Sequence, residues 1–194
     1  MKIILASKSP RRKKLLEKFN VKFKVIDSNL DESIISKILK PYDYCSMLAS
    51  MKAQNVSKKF ENELIIGADT IVVLNEKIIE KPKDKPDALN TLKQLSGCSH
   101  FVYTAVSLQS ISQKINHTFV EKTKVIFNIL EDKEIFFYVN NYKPYDKAGS
   151  YGIQDVSSIF VQYIEGCYDN VLGLPLSKLY KELKKLNINL LEAN

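Results

Sequence analysis

Apolar residues along this chain recur in two rhythms, and most of the fold class can be read from where one gives way to the other. Short unbroken or alternating apolar runs mark strands at Ile3 to Ala6, Val21 to Ile26, from Leu64 onward, His100 to Ser110, Ile115 to Leu130 and Ser158 to Ile164. Three-to-four spacing marks helices in between. The first follows Ser9, a good N-cap, with Pro10 at its first position, Leu15, Leu16 and Phe19 inward and Asn20 at its end. Others run over Tyr44 to Phe60, Pro86 to Ser96 with a stop at Gly97, Glu131 to Val139, and Pro175 to Leu186. Asn75 to Lys77 reads as a hairpin turn with Ile78 to Glu80 as its return strand, closing at Lys81 and Pro82. Strands and helices interleave through both hairpins and crossovers, which predicts an α/β fold on a mixed sheet.

One strand breaks its own pattern. The stretch LIIGADTIVVL from Leu64 places Gly67, Asp69 and Thr70 inside a branched apolar run. Glycine costs backbone entropy in a strand, and a carboxylate is costly to bury. Asp69 is therefore a candidate catalytic carboxylate on a rigid element, with Gly67 admitting a ligand or another backbone. The stretch alone equally admits a structural aspartate at a bulge. A second irregularity lies at the N-terminus, where ASKSPRR feeds a strand into a helix through small hydroxyl residues. Unpaired N–H groups and the positive end of the helix dipole then meet at one spot, an anion site. Arg11 and Arg12 oppose that dipole, an arrangement that makes sense with a polyphosphate to bind, although a basic exposed helix face also fits. The glycines of a Walker A loop are missing.

Composition narrows this picture. With 194 residues and an apolar fraction of 45%, the chain suits one well-filled core or two small lobes sharing a sheet. A formal charge of +7 favours anionic partners without choosing between phosphates and nucleic acid. Cys45, Cys98 and Cys167 form no C-x-x-C pair and read as reduced thiols, while His100 and His117 read as sheet residues rather than metal ligands. The N-terminal apolar run is too short for a signal or a membrane span, so a soluble cytoplasmic protein is expected.

Five segments, LASKSPRRKKLL, GADTIVVLNEKIIEKP, LKQLSGCSHFVYTAVSL, DKAGSYGIQ and NVLGLPLSKL, resemble in order and spacing the Maf family of nucleoside triphosphate pyrophosphatases, over essentially the whole chain. The resemblance implies a single domain over residues 1–194 with an inosine triphosphatase-like fold: an elongated mixed sheet with two lobes and a nucleotide cleft between them. It also implies hydrolysis of a nucleoside triphosphate to the monophosphate and pyrophosphate, a divalent cation such as magnesium, manganese or cobalt, and often a homodimer. A role in keeping non-canonical nucleotides out of nucleic acid, and a link to cell-division arrest, come with it. On this resemblance the catalytic base falls on Asp69, a second acidic residue that shares the metal on Glu32, the phosphate-contacting lysines on Lys52 and Lys81, and the serine and arginine loop on Ser7, Ser9, Arg11 and Arg12.

The family's pyrimidine-type specificity set falls on Arg11, Thr70 and Gln154, which implies uridine and thymidine triphosphates as substrates, ahead of methylated guanosine triphosphate. After Gln154 the family commonly continues with glycine, whereas this chain has Asp155, Val156, Ser157 and Ser158. That exchange is expected to alter the loop beside the base pocket and to narrow it. The rival from another class is a nucleic-acid-binding or division-regulating protein without turnover. Against it, the basic residues are not interleaved with aromatics as in an RNA-binding module, and Asp69 would repel a phosphate backbone unless a metal intervened.

Overall fold

The computed structural model describes residues 2–32, 35 and 39–192. Its centre is a seven-stranded mixed sheet in the order β2-β1-β3-β5-β6-β7, with β4 paired to β3. Strand β1 (Ile3–Ala6) is buried throughout and runs parallel to both β2 (Phe23–Val25) and β3 (Leu64–Leu74). Helix α1 (Pro10–Glu17) makes the first crossover and α2 (Pro41–Ser57) lies in the second. From β3 onward the sheet is antiparallel, through β4 (Lys77–Ile79), β5 (Ser99–Ser110), β6 (Ile115–Phe127) and β7 (Val161–Glu165). The α/β class and mixed sheet match the expectation from the sequence.

Local chemistry accounts for the element ends. The Ser9 hydroxyl caps α1 by accepting from the Arg12 N–H at 3.4 Å, with Pro10 in the first turn, and Asn20 takes the left-handed backbone after it. Asn75 and Glu76 both have positive φ, as the tight turn between β3 and β4 requires. Asp84 caps α3 (Lys85–Leu95), and Gly97 turns beyond it at φ 66°. A reciprocal capping box between Glu131 and Glu134 starts α4 (Asp132–Tyr142), which runs three residues past the expected end at Val139 and closes on left-handed Lys143.

Three strands are shorter than the apolar pattern suggests, β6 stopping at Phe127 instead of Leu130. The expected strand over Val21 to Ile26 contracts to three residues at the sheet edge. The one over Ser158 to Ile164 loses its first half to a 3-10 turn, Val156–Phe160, capped by Asp155, whose side chain accepts from the Ser157 N–H. A short helix, α5 (Tyr168–Leu172), was not legible, because five residues are too few to show a period. Helix α6 (Leu176–Lys185) closes the main body of the chain.

Strand β3 sorts the core. Its even residues Leu64, Ile66 and Ala68 pack with Leu15 and Leu16 of α1 and Leu179 and Leu183 of α6. Further along the same face, Val72 joins a second cluster built on Leu92 and Leu95 of α3, Ile135 and Tyr138 of α4, and Phe160. Its odd residues Ile65, Ile71 and Val73 meet α2 on the opposite face. Between the two even-face clusters sits Thr70, and there the packing turns polar. Thr70 and Thr104 hydroxyls share a hydrogen bond at 3.0 Å, Thr104 donates to the Asn170 carbonyl, and the Asn170 amide donates to the Val102 carbonyl and the Thr123 hydroxyl. Helix α5 exists to deliver Asn170 into this waist.

Candidate active site

The β3–β5 ladder is unbroken from Ile65 to Val73, so Asp69 sits in regular strand and the bulge reading is excluded. Gly67 lies two residues before it on the same face. A Cβ there would meet the Ala49 carbonyl oxygen at 2.5 Å and the Ala53 nitrogen at 2.7 Å, so the missing side chain lets the backbone of α2 press onto β3. The closely approaching backbone is the helix itself. Lys52 lies between those two alanines in α2, and the approach brings its Nζ to 2.6 Å from Asp69 Oδ1 and 2.7 Å from Glu32 Oε1.

Electrostatics distinguish the two carboxylates. Asp69 is 7% exposed, and its burial pushes the carboxyl above the ordinary range, with Lys52 and Arg12 pulling it back. Glu32 is more open. Burial raises it too, but the Lys52 bond and charge, followed by the charges of Lys81 and Arg12, outweigh that and hold it below its usual value. One lysine thus serves two acids of opposite tendency. Cys45, also on α2, is buried behind Asp69 with its thiol directed at the Asp69 and Tyr103 carbonyls, and burial pushes the thiol above its normal range.

On the even face, Arg12 is half-buried and spends its donors on neutral oxygens: the Gly173 carbonyl at 2.8 Å, the Ser7 hydroxyl at 3.1 Å and the Thr70 hydroxyl at 2.9 Å. Burial lowers its pKa, opposed chiefly by the charge of Asp69. A desolvated guanidinium held only by dipoles keeps an unspent charge for an anion. Arg11, one residue earlier, points elsewhere and pairs with Asp146 at 3.0 Å.

These groups share one cleft of about 940 Å³. Its polar end is lined by Ser7, Ser9, Arg11, Arg12, Glu32, Lys52, Asp69, Thr70 and Lys81, with Lys81 exposed at the end of the β3–β4 hairpin. The rest of its lining is more apolar, with Val72, Ile79, Val102, Ala148, Tyr151, Ile153 and Leu172, and Asp146 and Lys147 beside them. A lining that combines a cluster of charged groups with an apolar stretch fits a ligand that carries both phosphates and a ring.

Residues 2–186 match the family model described as Maf-like protein. The chain belongs to the Maf family. A dTTP/UTP pyrophosphatase of Carboxydothermus hydrogenoformans is 47% identical over 185 residues, covering 95% of this chain and 98% of that protein. A dTTP/UTP pyrophosphatase of Clostridium perfringens is 45% identical over 192 residues, covering 98% of this chain and 100% of the relative. Among solved structures, a nucleoside-triphosphatase/dITP/XTP pyrophosphatase from Mycobacterium abscessus aligns at 14% identity and TM-score 0.45, over 66% of this chain and 74% of that one.

In this Maf chain the structure gathers nine of the ten residues singled out from the sequence into one cleft, and leaves one outside. Gln154 is exposed and does not line the cleft. Thr70 is contacted by Arg12, while Arg11 turns away to Asp146. The expected narrowing by Asp155 and Val156 does not occur, because neither residue lines the cleft. Asp155 has a φ of −105°, which needs no glycine, and its carboxylate turns inward to accept from the Ser157 hydroxyl at 2.6 Å and the Tyr138 hydroxyl at 3.4 Å. Sequence reasoning missed Thr104 and Asn170, since a buried threonine or asparagine leaves no periodic trace, and it passed over Asp146 and Lys147 although both lie in a segment that carried the resemblance.

Among the described residues no group of three or more His, Cys, Asp or Glu gathers as a metal cluster. The carboxylates that would be available to a hard cation are Glu32 and Asp69, which already hold one positive group, the Lys52 ammonium, between them. Two carboxylates beside a cleft suit a magnesium-type ion, which takes one or two protein carboxylates and completes its shell with phosphate oxygens and water. The residues therefore fit such an ion. No helix among the described residues is long and apolar enough to cross a membrane, and all three cysteines are free.

Proposed function

We propose that this chain hydrolyses uridine and thymidine triphosphates to the monophosphate and pyrophosphate. The observation that carries the reading is the buried Asp69 carboxylate, facing a cleft that combines a cluster of charged groups with an apolar stretch, and raised by burial toward the pKa a general base needs. Asp69 orients a water toward the α-phosphorus and takes its proton. Lys52 keeps Asp69 aimed and supplies positive charge beside the reacting phosphate. Arg12, fixed on three neutral oxygens, forms the floor of the phosphate end, and Arg11, Lys81 and the Ser7 to Ser9 turn hold the leaving pyrophosphate. Glu32 and Asp69 are the residues that would hold a divalent cation such as magnesium, manganese or cobalt, and its chemistry there is to neutralise charge on the phosphate oxygens.

The pyrimidine preference rests on the activity in the relatives' names and on Arg11 and Thr70 at the cleft. Gln154 reads the base only if its loop turns inward on binding. A homodimer in the cytoplasm, with one two-lobed domain per chain, belongs to the same reading. The test is pyrophosphate release from a panel of standard and base-modified nucleoside triphosphates, with and without chelator. Uridine and thymidine triphosphates or 5-substituted uridine analogues should give the highest kcat/KM, 7-methylguanosine triphosphate should trail, and chelator should abolish release. Metal-independent, salt-sensitive binding of DNA without turnover would favour the nucleic-acid reading instead.

A further inference from the structure

Asp146 joins two cations that reach the cleft from different parts of the fold. One of its oxygens accepts from Arg11 Nη1, in the first turn of α1, at 3.0 Å. The other accepts from Lys147 Nζ, in the loop after α4, at 2.8 Å. All three residues line the cleft. The lysine is built into place. Its side chain is 15% exposed, its stem lies against Gly152, where an added Cβ would stand 3.0 Å from Lys147 Cε, and Asp155 is 4.0 Å from its head. Asp146, by contrast, is 60% exposed and tied down by those two cations.

Two cations bonded to the two oxygens of one acid repel each other unless an anion stands between them. A phosphate offers the same pair of oxygens with more charge. We infer that Asp146 is an internal stand-in for a phosphate group, and that Lys147 is a further substrate-binding residue which grips the polyphosphate with Arg11 once Asp146 swings out. This deepens the proposed function and rests on it for the identity of the substrate, but the anion site it describes is tested on its own. Asp146 acts through its neighbours. Removing its charge frees the site, whereas removing Lys147 takes away half of the grip.

The measurement is calorimetric titration of inorganic tripolyphosphate into the full chain at fixed ionic strength. Asp146→Asn should bind roughly threefold to fivefold more tightly, the scale of a partly exposed ion pair that no longer has to be displaced. Lys147→Met should bind about tenfold more weakly and Lys147→Arg close to wild type, as loss or retention of one charge-assisted contact requires. With uridine triphosphate, Lys147→Met should raise KM by a similar factor while kcat stays within about twofold, the mark of lost uniform binding. Unchanged or weaker tripolyphosphate binding in Asp146→Asn, or unchanged binding in Lys147→Met, overturns the inference even in a chain that hydrolyses uridine triphosphate normally. The expected pattern in a chain that hydrolyses no nucleotide upholds the anion site and sinks the proposed activity.

Discussion

A carboxylate in mid-strand, shut away from water, loses stability for the fold unless something cationic stands beside it. At Asp69 that partner is Lys52, yet burial still leaves the acid raised, so it holds a proton to higher pH than an exposed aspartate. A base works only when deprotonated. The acid limb of a kcat/KM profile should therefore lie above the ordinary aspartate value of about 4, activity falling as pH drops through it. Asp69→Asn should lower turnover by roughly a hundredfold or more, and a variant with near-normal pyrophosphate release would remove Asp69 from this role. At this scale the sequence spoke through cost: an aspartate and a glycine inside a branched apolar run were visible as expense without gain. Gln154 carried no such cost, and its assignment came only from resemblance. The structure leaves it exposed, outside the cleft.

Helix α2 and strand β3 are the pair of elements on which the site depends, and their spacing is set by an absent side chain. In Gly67→Ala the new methyl would face backbone atoms, which cannot rotate aside, so α2 must lift from the sheet. We expect a stability loss of about 1–3 kcal/mol in chemical denaturation. Activity should fall beyond what that loss explains, because Lys52 and Asp69 are drawn apart. A stable variant with full activity would show that the close approach is not what sets the pair. Elements were legible where capping residues and long periods coincide, as in α1, with Ser9, Pro10 and two buried leucines. They were illegible where a turn or so of helix answers to tertiary contacts alone. Helix α5 exists because Asn170 has three polar partners to meet, Thr104, Val102 and Thr123, and the turn at Val156–Phe160 because Asp155 and Ser157 bond each other.

Across the whole molecule, the sheet carries an apolar core at either end of one face and a polar waist between them. The second core holds its own titrating group. His100 is fully buried between Phe127 and Tyr151, shares a 2.8 Å hydrogen bond with the Tyr151 hydroxyl, and is pushed down to about 4 by burial. The unfolded chain takes up a proton near pH 6.5 that the folded chain refuses until about pH 4, so stability is full above 6.5 and drains away as pH falls between those values. The loss should total about 3 kcal/mol. His100→Gln, which can still bond Tyr151 but cannot titrate, should flatten the slope of unfolding free energy over that interval, and an unaltered slope would place the acid sensitivity elsewhere.

The alternation along β3 has a consequence for how the chain tolerates changes of length. Odd positions look toward α2 and Lys52, even positions toward Arg12 and the waist, and the ladder to β5 holds that assignment for nine consecutive pairs. Inserting or deleting a single residue ahead of Asp69 would turn the acid toward Arg12 and its neighbour toward Lys52, exchanging the two chemistries instead of weakening either. Length can vary freely only where the chain reverses in solvent, as at the exposed turn 111–114 between β5 and β6, so insertions should accumulate at such turns while β3 keeps its count.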